Sequence, residues 1–255
     1  MTASDASPGS GVSHIYWALG TNPFVAYSGP FKITTTGKHA LHFYSSDFAG
    51  NSGTTKNVEV PIEAATTTTL TSGTNPSSYR QAVTFKAVVS GSFGATPTGS
   101  VTFKNGGVAI GSSALSGGVA TLSFAGLTVG SHSITATYSG SPKNLVSTSS
   151  ALTQTVNKAN TTTKLASSLN PSVHGQAVTF TATVTGAFGG SPAGTVTFRN
   201  GTSVMGTGTV NTSTHKATFT TSSLSTGTHS ITAAYGGSTA YRTSTSAALS
   251  QKVNP

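Results

Sequence analysis

Two stretches of this chain repeat each other with the even-odd side-chain pattern of strands, and this limits the possible folds more than any other feature. Gln81-Ala82-Val83-Thr84-Phe85 returns as Gln176-Ala177-Val178-Thr179-Phe180, 95 positions on. Gly99-Ser100-Val101-Thr102-Phe103 returns as Gly194-Thr195-Val196-Thr197-Phe198 at the same offset. Further along, Gly130-Ser131-His132-Ser133-Ile134-Thr135-Ala136 matches Gly227-Thr228-His229-Ser230-Ile231-Thr232-Ala233, displaced by 97. The two extra residues fall between Gly206 and Ala217, where Asn211 to Lys216 replaces Ser116 to Val119. A length change confined to a polar, turn-prone stretch predicts a hairpin tip. The repeat divides the chain into residues 1–65, 66–158 and 159–255.

Inside each repeat the side chains alternate. Val83, Phe85, Ala87 and Val89 point one way and Thr84, Lys86 and Val88 the other; Ile134, Ala136 and Tyr138 alternate with Thr135 and Thr137. No helical stripe persists. Short alternating runs between Gly, Asn, Pro and Ser turns predict antiparallel sandwiches, with strands at 67–72, 82–90, 99–104, 108–111, 119–124, 131–138 and 150–156 in the first repeat. Thr-rich outer faces suit such strands, because β-branching favours the pleated backbone without making a sticky surface. The segment Asn157 to Asn160 leaves no flexible tether between repeats, and Pro61 to Ala65 is as short. The fold class is therefore all-β, tandem sandwiches in an elongated rod.

Composition removes most chemistry. All four acidic residues, Asp5, Asp47, Glu59 and Glu63, lie in the first quarter. From Ala64 onward the chain cannot supply a carboxylate pair for glycoside hydrolysis, a calcium cage or the acid of a catalytic triad. No catalytic residue and no cofactor is expected. The net charge of +9 comes from missing acids: thirteen Lys and Arg are scattered with no adjacent pair, which argues against a nucleic-acid surface. Cysteine is absent, leaving the redox compartment open. No apolar run reaches the ~18 residues of a membrane span, and the first residues do not form a signal peptide.

Residues 1–63 differ from the repeat. Stretches 11–18, 31–34, 39–45 and 56–62 read as four strands, dense in aromatic residues. Four strands make an incomplete sandwich, so an open edge or face is expected. Two explanations stand: upstream residues are missing, or a partner chain fills the gap.

The two repeats resemble bacterial Ig-like domains of the large surface-protein family. The resemblance rests on the Thr-rich first strand, Gly175 to Phe180, and Pro-x-Gly-x-Val-x-Phe-x-x-Gly at 97–106 and 192–201. It also rests on Gly-x-His-x-Ile-x-Ala-x-Tyr at 130–138 and 227–235 and the closing Gln-x-Val at 154–156 and 251–253. Where that family often carries acids, Ser139-Gly140-Ser141, Gly236-Gly237-Ser238, Asn105 and Asn200 stand here. Residues 11–60 resemble the second half of an Ig-like β-domain named after a leptospiral outer-membrane protein, through Ser10 to Tyr16, Gly37 to Tyr44 and Asp47 to Asn51. Both resemblances imply extracellular multidomain proteins without enzymatic activity.

The candidate residues follow. His39, His132 and His229 share the same Gly-x-His position at the start of a late strand, which predicts a structural imidazole bonded across a turn and no metal site. Asp47 and Asn51 predict a tight Asx turn, with calcium held by Asp5, Asp47, Glu59 and Glu63 as the alternative. Tyr16, Trp17, Phe24 and Tyr27 read either as the small module's core or as a glycan or docking platform. Phe93 and Phe188, in equivalent glycine-rich loops, are expected to plug junctions between neighbouring domains. Isopeptide crosslinks are excluded from both repeats for want of a buried acid. Asn160, Asn200 and Asn211 begin glycosylation sequons.

These features give an extracellular structural protein, a stalk or head-to-tail filament subunit. The strand Ser244 to Val253 of one copy, or the tail beyond it, would complete the first module of another. The alternatives are an adhesin using the N-terminal aromatics on glycans and a passive spacer within a larger surface protein.

Overall fold

The computed structural model describes residues 2–4, 9–94 and 96–255, apart from the Phe93 side chain; Asp5 and the expected contact of Phe93 lie outside what is described. Among the described residues there is no α-helix. The N-terminal module is one antiparallel sheet in the order β2-β1-β3-β4, formed by β1 (Val12–Leu19), β2 (Val25–Ala26), β3 (Gly37–Asp47) and β4 (Lys56–Ile62). The stretch 31–34 is not a strand. β1 is flanked by β3 and β2, and the alternation in 31–34 finds no ladder to join; Phe31 instead stacks on Trp17 at 3.7 Å.

The first repeat is a sandwich. One sheet runs β10-β7-β5, from β5 (Thr66–Ser72), β7 (Val83–Gly91) and β10 (Val119–Phe124). The facing sheet runs β6-β13-β11-β8-β9, from β6 (Ser77–Ser78), β8 (Ser100–Asn105), β9 (Val108–Ala114), β11 (Gly130–Tyr138) and β13 (Leu152–Asn157), with β12 (Ser147–Thr148) also on β11. The chain crosses between the sheets at a cis Asn75-Pro76 bond, after which β6 pairs in parallel with β13. The second repeat reproduces each step as β14 (Thr161–Ser167), β15 (Ser172–Val173), β16 (Val178–Gly186), β17 (Thr195–Asn200), β18 (Ser203–Thr209), β19 (Lys216–Thr221), β20 (Gly227–Tyr235), β21 (Ser244–Thr245) and β22 (Leu249–Asn254).

The alternation read from sequence is the inside-outside pattern of the sandwich. Val83, Phe85, Ala87 and Val89 are all at most 3% exposed, and Phe180, Phe198, Ile231 and Ala233 are fully buried in the second core. The two cores are separate clusters, and Tyr79 packs against both. The length difference between repeats sits at a tight turn, bridged by Ser116 and Val119 or by Asn211 and Lys216, that carries the chain from one sheet to the other rather than at the tip of a hairpin within one sheet. Gly117 and Gly118, both at positive φ, close β9 onto β10, whereas Asn211 to His215 closes β18 onto β19 with the Asn211 side chain accepting from the Ser213 and Thr214 amides. Gly206 lets β18 lie against the other sheet, since a Cβ there would overlap the Phe219 ring.

The linkers are part of the domains they precede. The Ala64 amide donates to Lys143 and its carbonyl accepts from Leu145; Ala159 makes the same pair with Ala240 and Arg242. Both alanines are fully buried. The C-terminal strand is equally committed. β22 pairs along β20 and buries Gln251 and Val253, so donating Ser244 to Val253 to another copy would dismantle the second repeat. That route for completing the first module would require the second repeat to open.

Candidate functional site

The open N-terminal sheet is where the chain leaves apolar surface uncovered. Among its described residues only Ala18 is buried. Strand parity splits the side chains between two faces. One carries Ile15, Trp17 and Leu19 from β1, Leu41 and Phe43 from β3, and Val58 and Val60 from β4, neighbours through the registers Trp17↔Phe43 and Leu41↔Val58. Phe31 covers part of this face, and residues 2–4 line a shallow groove beside Ile15 and Phe43. The opposite face carries His14, Tyr16, His42 and Tyr44.

The four aromatic residues singled out in the sequence therefore do not form one surface. Tyr16 stacks on Tyr44 at 5.1 Å, and Phe24 meets the edge of Tyr44 at 4.9 Å, with His14 beyond Tyr16 at 6.0 Å. Trp17, the next residue after Tyr16, lies on the other side with Phe31. Tyr27 follows β2 and extends its pairing with β1, its amide donating to the Ile15 carbonyl. Tyr44 was not singled out, although the pairing of β1 with β3 places it at the centre of the row.

Asp47 caps the turn after β3. Its carboxylate accepts from the Asn51 amide at 2.7 Å and from the Asn51 side chain at 2.8 Å. The Asn51 side chain, then Ser10, hold the Asp47 carboxyl below its ordinary range. Glu59 pairs with Lys38 at 3.4 Å across an exposed surface, an arrangement worth little in water. Among the described residues no group of three His, Cys, Asp or Glu gathers around a common point.

The three histidines make one contact. Nε2 of His39, His132 and His229 donates to the carbonyl four residues earlier, Thr35, Thr128 and Ser225, each at 2.8 Å. A carbonyl only accepts, so Nε2 carries the proton. Nδ1 then accepts from the Asn105 amide in the first repeat and from Asn200 in the second, at 3.1 and 2.9 Å. The asparagine side chains supply the proton that this nitrogen accepts, which an aspartate in their place would lack. The signal was present in the sequence as two equivalent Asn-His pairs, but nothing there showed that they touch.

Phe188 is 54% exposed, with positive φ. The aromatic contact between the repeats is made by Tyr79 and Tyr241, edge to face at 5.5 Å.

Two stacked sheets around an alternating core, repeated in tandem, define the class: an all-β protein of Ig-like sandwiches. The profile of the bacterial Ig-like domain (group 3) matches residues 68–157 and again 165–254, more than half of the chain, and the protein belongs to that family. No curated protein matches it. Among solved structures, the E. coli adhesin FdeC is 16% identical, over 87% of this chain and 75% of that one, with a TM-score of 0.33. The fibronectin(III)-like modules of Clostridium thermocellum CbhA are 18% identical, over 72% and 92%, with a TM-score of 0.30. Mouse nectin-like molecule 4 is 10% identical, over 83% and 73%, at 0.30. These likenesses concern the fold alone.

Proposed function

We propose that this chain is a non-enzymatic stalk segment of a bacterial surface protein, carrying an open sheet at one end that docks onto another polypeptide. One observation carries the reading. Both repeats enclose complete cores, while the first module leaves Ile15, Trp17, Leu41 and Phe43 only half-buried on a face that a sandwich would cover with a second sheet. A pleated apolar face of this kind accepts strands from a neighbouring domain or from another copy, and addition between copies would grow a head-to-tail filament. The pairing of β22 within its own repeat favours a supply of strands from elsewhere.

Trp17 is the only tryptophan, so its fluorescence reports on that face directly. Concentrating the purified chain is expected to shift Trp17 emission to the blue as oligomers appear in sedimentation, and Leu41→Asp, which alters the same face but keeps the tryptophan, is expected to abolish both. A folded monomer whose emission never changes with concentration would rule out self-docking and leave a neighbouring domain as the occupant.

A second reading, adhesion to glycans, is favoured by the row of Phe24, Tyr44 and Tyr16 on the opposite face. Its aromatic rings lie beside the hydrogen-bonded pair His42 and Asn57, the combination of stacking and polar groups that sugars use. Glycan-array binding that is lost in Tyr44→Ala and kept in Trp17→Asp would establish it. No binding by the parent chain would discard it.

A further inference from the structure

The two joints of the chain are built alike in the backbone and differently in the side chains. Ala64 and Ala159 occupy equivalent positions and make equivalent hydrogen bonds to the domain that follows. At the second joint three side chains of the upstream unit reach across. Tyr79 meets Tyr241 edge to face and packs on the second core. Arg80, held at a φ of 66°, lies over Gly190, where a Cβ would come within 2.7 Å of the arginine Cδ and would overlap the Tyr241 hydroxyl. Lys158 donates from Nζ to the Ser238 carbonyl at 2.7 Å. Burial raises the Tyr241 hydroxyl above its ordinary range, with Tyr79 adding to the effect and Arg80 opposing it.

Among the described residues none of these side-chain contacts is found at the first joint. The position equivalent to Tyr241 is Asn144, and that of Gly190 is Ala95. The position equivalent to Lys158 is Glu63, which lines a groove with Ser141, the counterpart of Ser238. A carboxylate cannot donate to that carbonyl, so the lysine contact has no equivalent. Asn144 is 4% exposed and its Oδ1 has no partner, whereas the Tyr241 hydroxyl reaches the Gly189 carbonyl. Leu145 and Val146 beside it stay 45% and 67% exposed. Among the described residues no ring contact or side-chain hydrogen bond joins the N-terminal sheet to the first repeat.

From this contrast we infer that the Tyr79-Tyr241 contact, with Arg80 and Lys158, locks the second joint, and that the joint at Glu63 is a hinge on which the N-terminal sheet swings. The equal shortness of the two linkers, which predicts equal stiffness, is overridden by the side chains. A rod so built keeps its reach along the repeats and lets its open sheet search for orientation. The inference does not depend on what, if anything, covers that sheet.

The chain has no cysteine, so labels can be placed singly. Spin labels at Thr121→Cys and Thr218→Cys report the second joint, and labels at Glu59→Cys and Thr121→Cys the first; all three sites are exposed strand positions. Pulsed electron resonance is expected to give a narrow distance distribution for the first pair and a broad one for the second. Adding Tyr79→Ala with Lys158→Glu is expected to broaden the Thr121/Thr218 distribution until it resembles the other. Because Tyr79 touches both cores, Arg80→Ala with Lys158→Glu serves as a second variant that leaves them untouched, with partial broadening expected. Equal widths at the two joints of the parent chain would overturn the inference. So would a Thr121/Thr218 distribution that stays narrow in both variants while the repeats remain folded.

Discussion

Phe180→Ala is expected to split the melting of the two repeats into separate transitions. The ring is fully buried at the centre of the second core, in β16, and truncation of such a phenylalanine costs about 3–5 kcal/mol. A domain of this size has only about 5–15 kcal/mol in total. The second repeat should therefore unfold roughly 12–40 °C earlier, taking about 4–8 °C per kcal/mol for a domain near 100 residues. The first repeat has its own core around Phe85 and Phe103, and the side chain common to both clusters is Tyr79. One bridging tyrosine is too little to make two cores melt as one. Calorimetry should show one transition near its original position and one displaced downward, and Phe85→Ala should exchange the two. A single transition that moves as a whole would mean that the joint couples the repeats far more strongly than its contacts suggest.

The interior of the repeats was legible because one physical rule governs it. Residues two apart share a face, so Val83, Phe85, Ala87 and Val89 announced a buried row, and the repeat doubled the signal at Val178, Phe180, Ala182 and Val184. The first module was less legible because a strand needs a partner as well as a pattern. Residues 31–34 alternate suitably but have no neighbouring ladder, and Phe31 is spent on Trp17. Parity could have separated Tyr16 from Trp17, since adjacent residues of a strand face opposite ways; what it could not supply was the register that brings Tyr44 to Tyr16. The lock between repeats was hidden by the repeat itself. Attention to what recurs passes over Tyr79, where the second repeat has His174, and Tyr241, where the first has Asn144. Those two departures from the repeat are the residues that meet. Phe188, which does recur with Phe93, is exposed.

Gln154→Leu is expected to be as damaging to the first repeat as loss of a core phenylalanine, although it substitutes an apolar residue of similar size at a buried position. Gln154 is fully buried. Its Oε1 accepts from the Ser72 hydroxyl at 2.6 Å, and its Nε2 donates to the Thr74 carbonyl at 2.9 Å and to the Ser77 hydroxyl at 3.2 Å. Those three partners bracket the crossing from β5 to β6, where the chain leaves one sheet for the other and cannot satisfy its polar groups by either ladder. Leucine fills the volume and bonds to none of them. Each lost bond costs about 1–3 kcal/mol, less what water and the remaining Ser72–Thr74 bond recover at the two half-buried partners, so a loss of about 3–5 kcal/mol is expected. Gln251 holds the second crossing through Ser167, Leu169 and Ser172 in the same way, and it is untouched by the substitution. Urea unfolding followed by amide resonances of each repeat should show the midpoint of the first falling while that of the second stays. Adding Ser72→Ala to Gln154→Leu should cost less than the same change in the parent chain, because the hydroxyl it removes has already lost its shorter bond, to Gln154, and keeps only the 3.3 Å bond to the Thr74 carbonyl. A Gln154→Leu protein as stable as its parent would mean that packing alone secures the crossing, and that the buried glutamine is a passenger in the core.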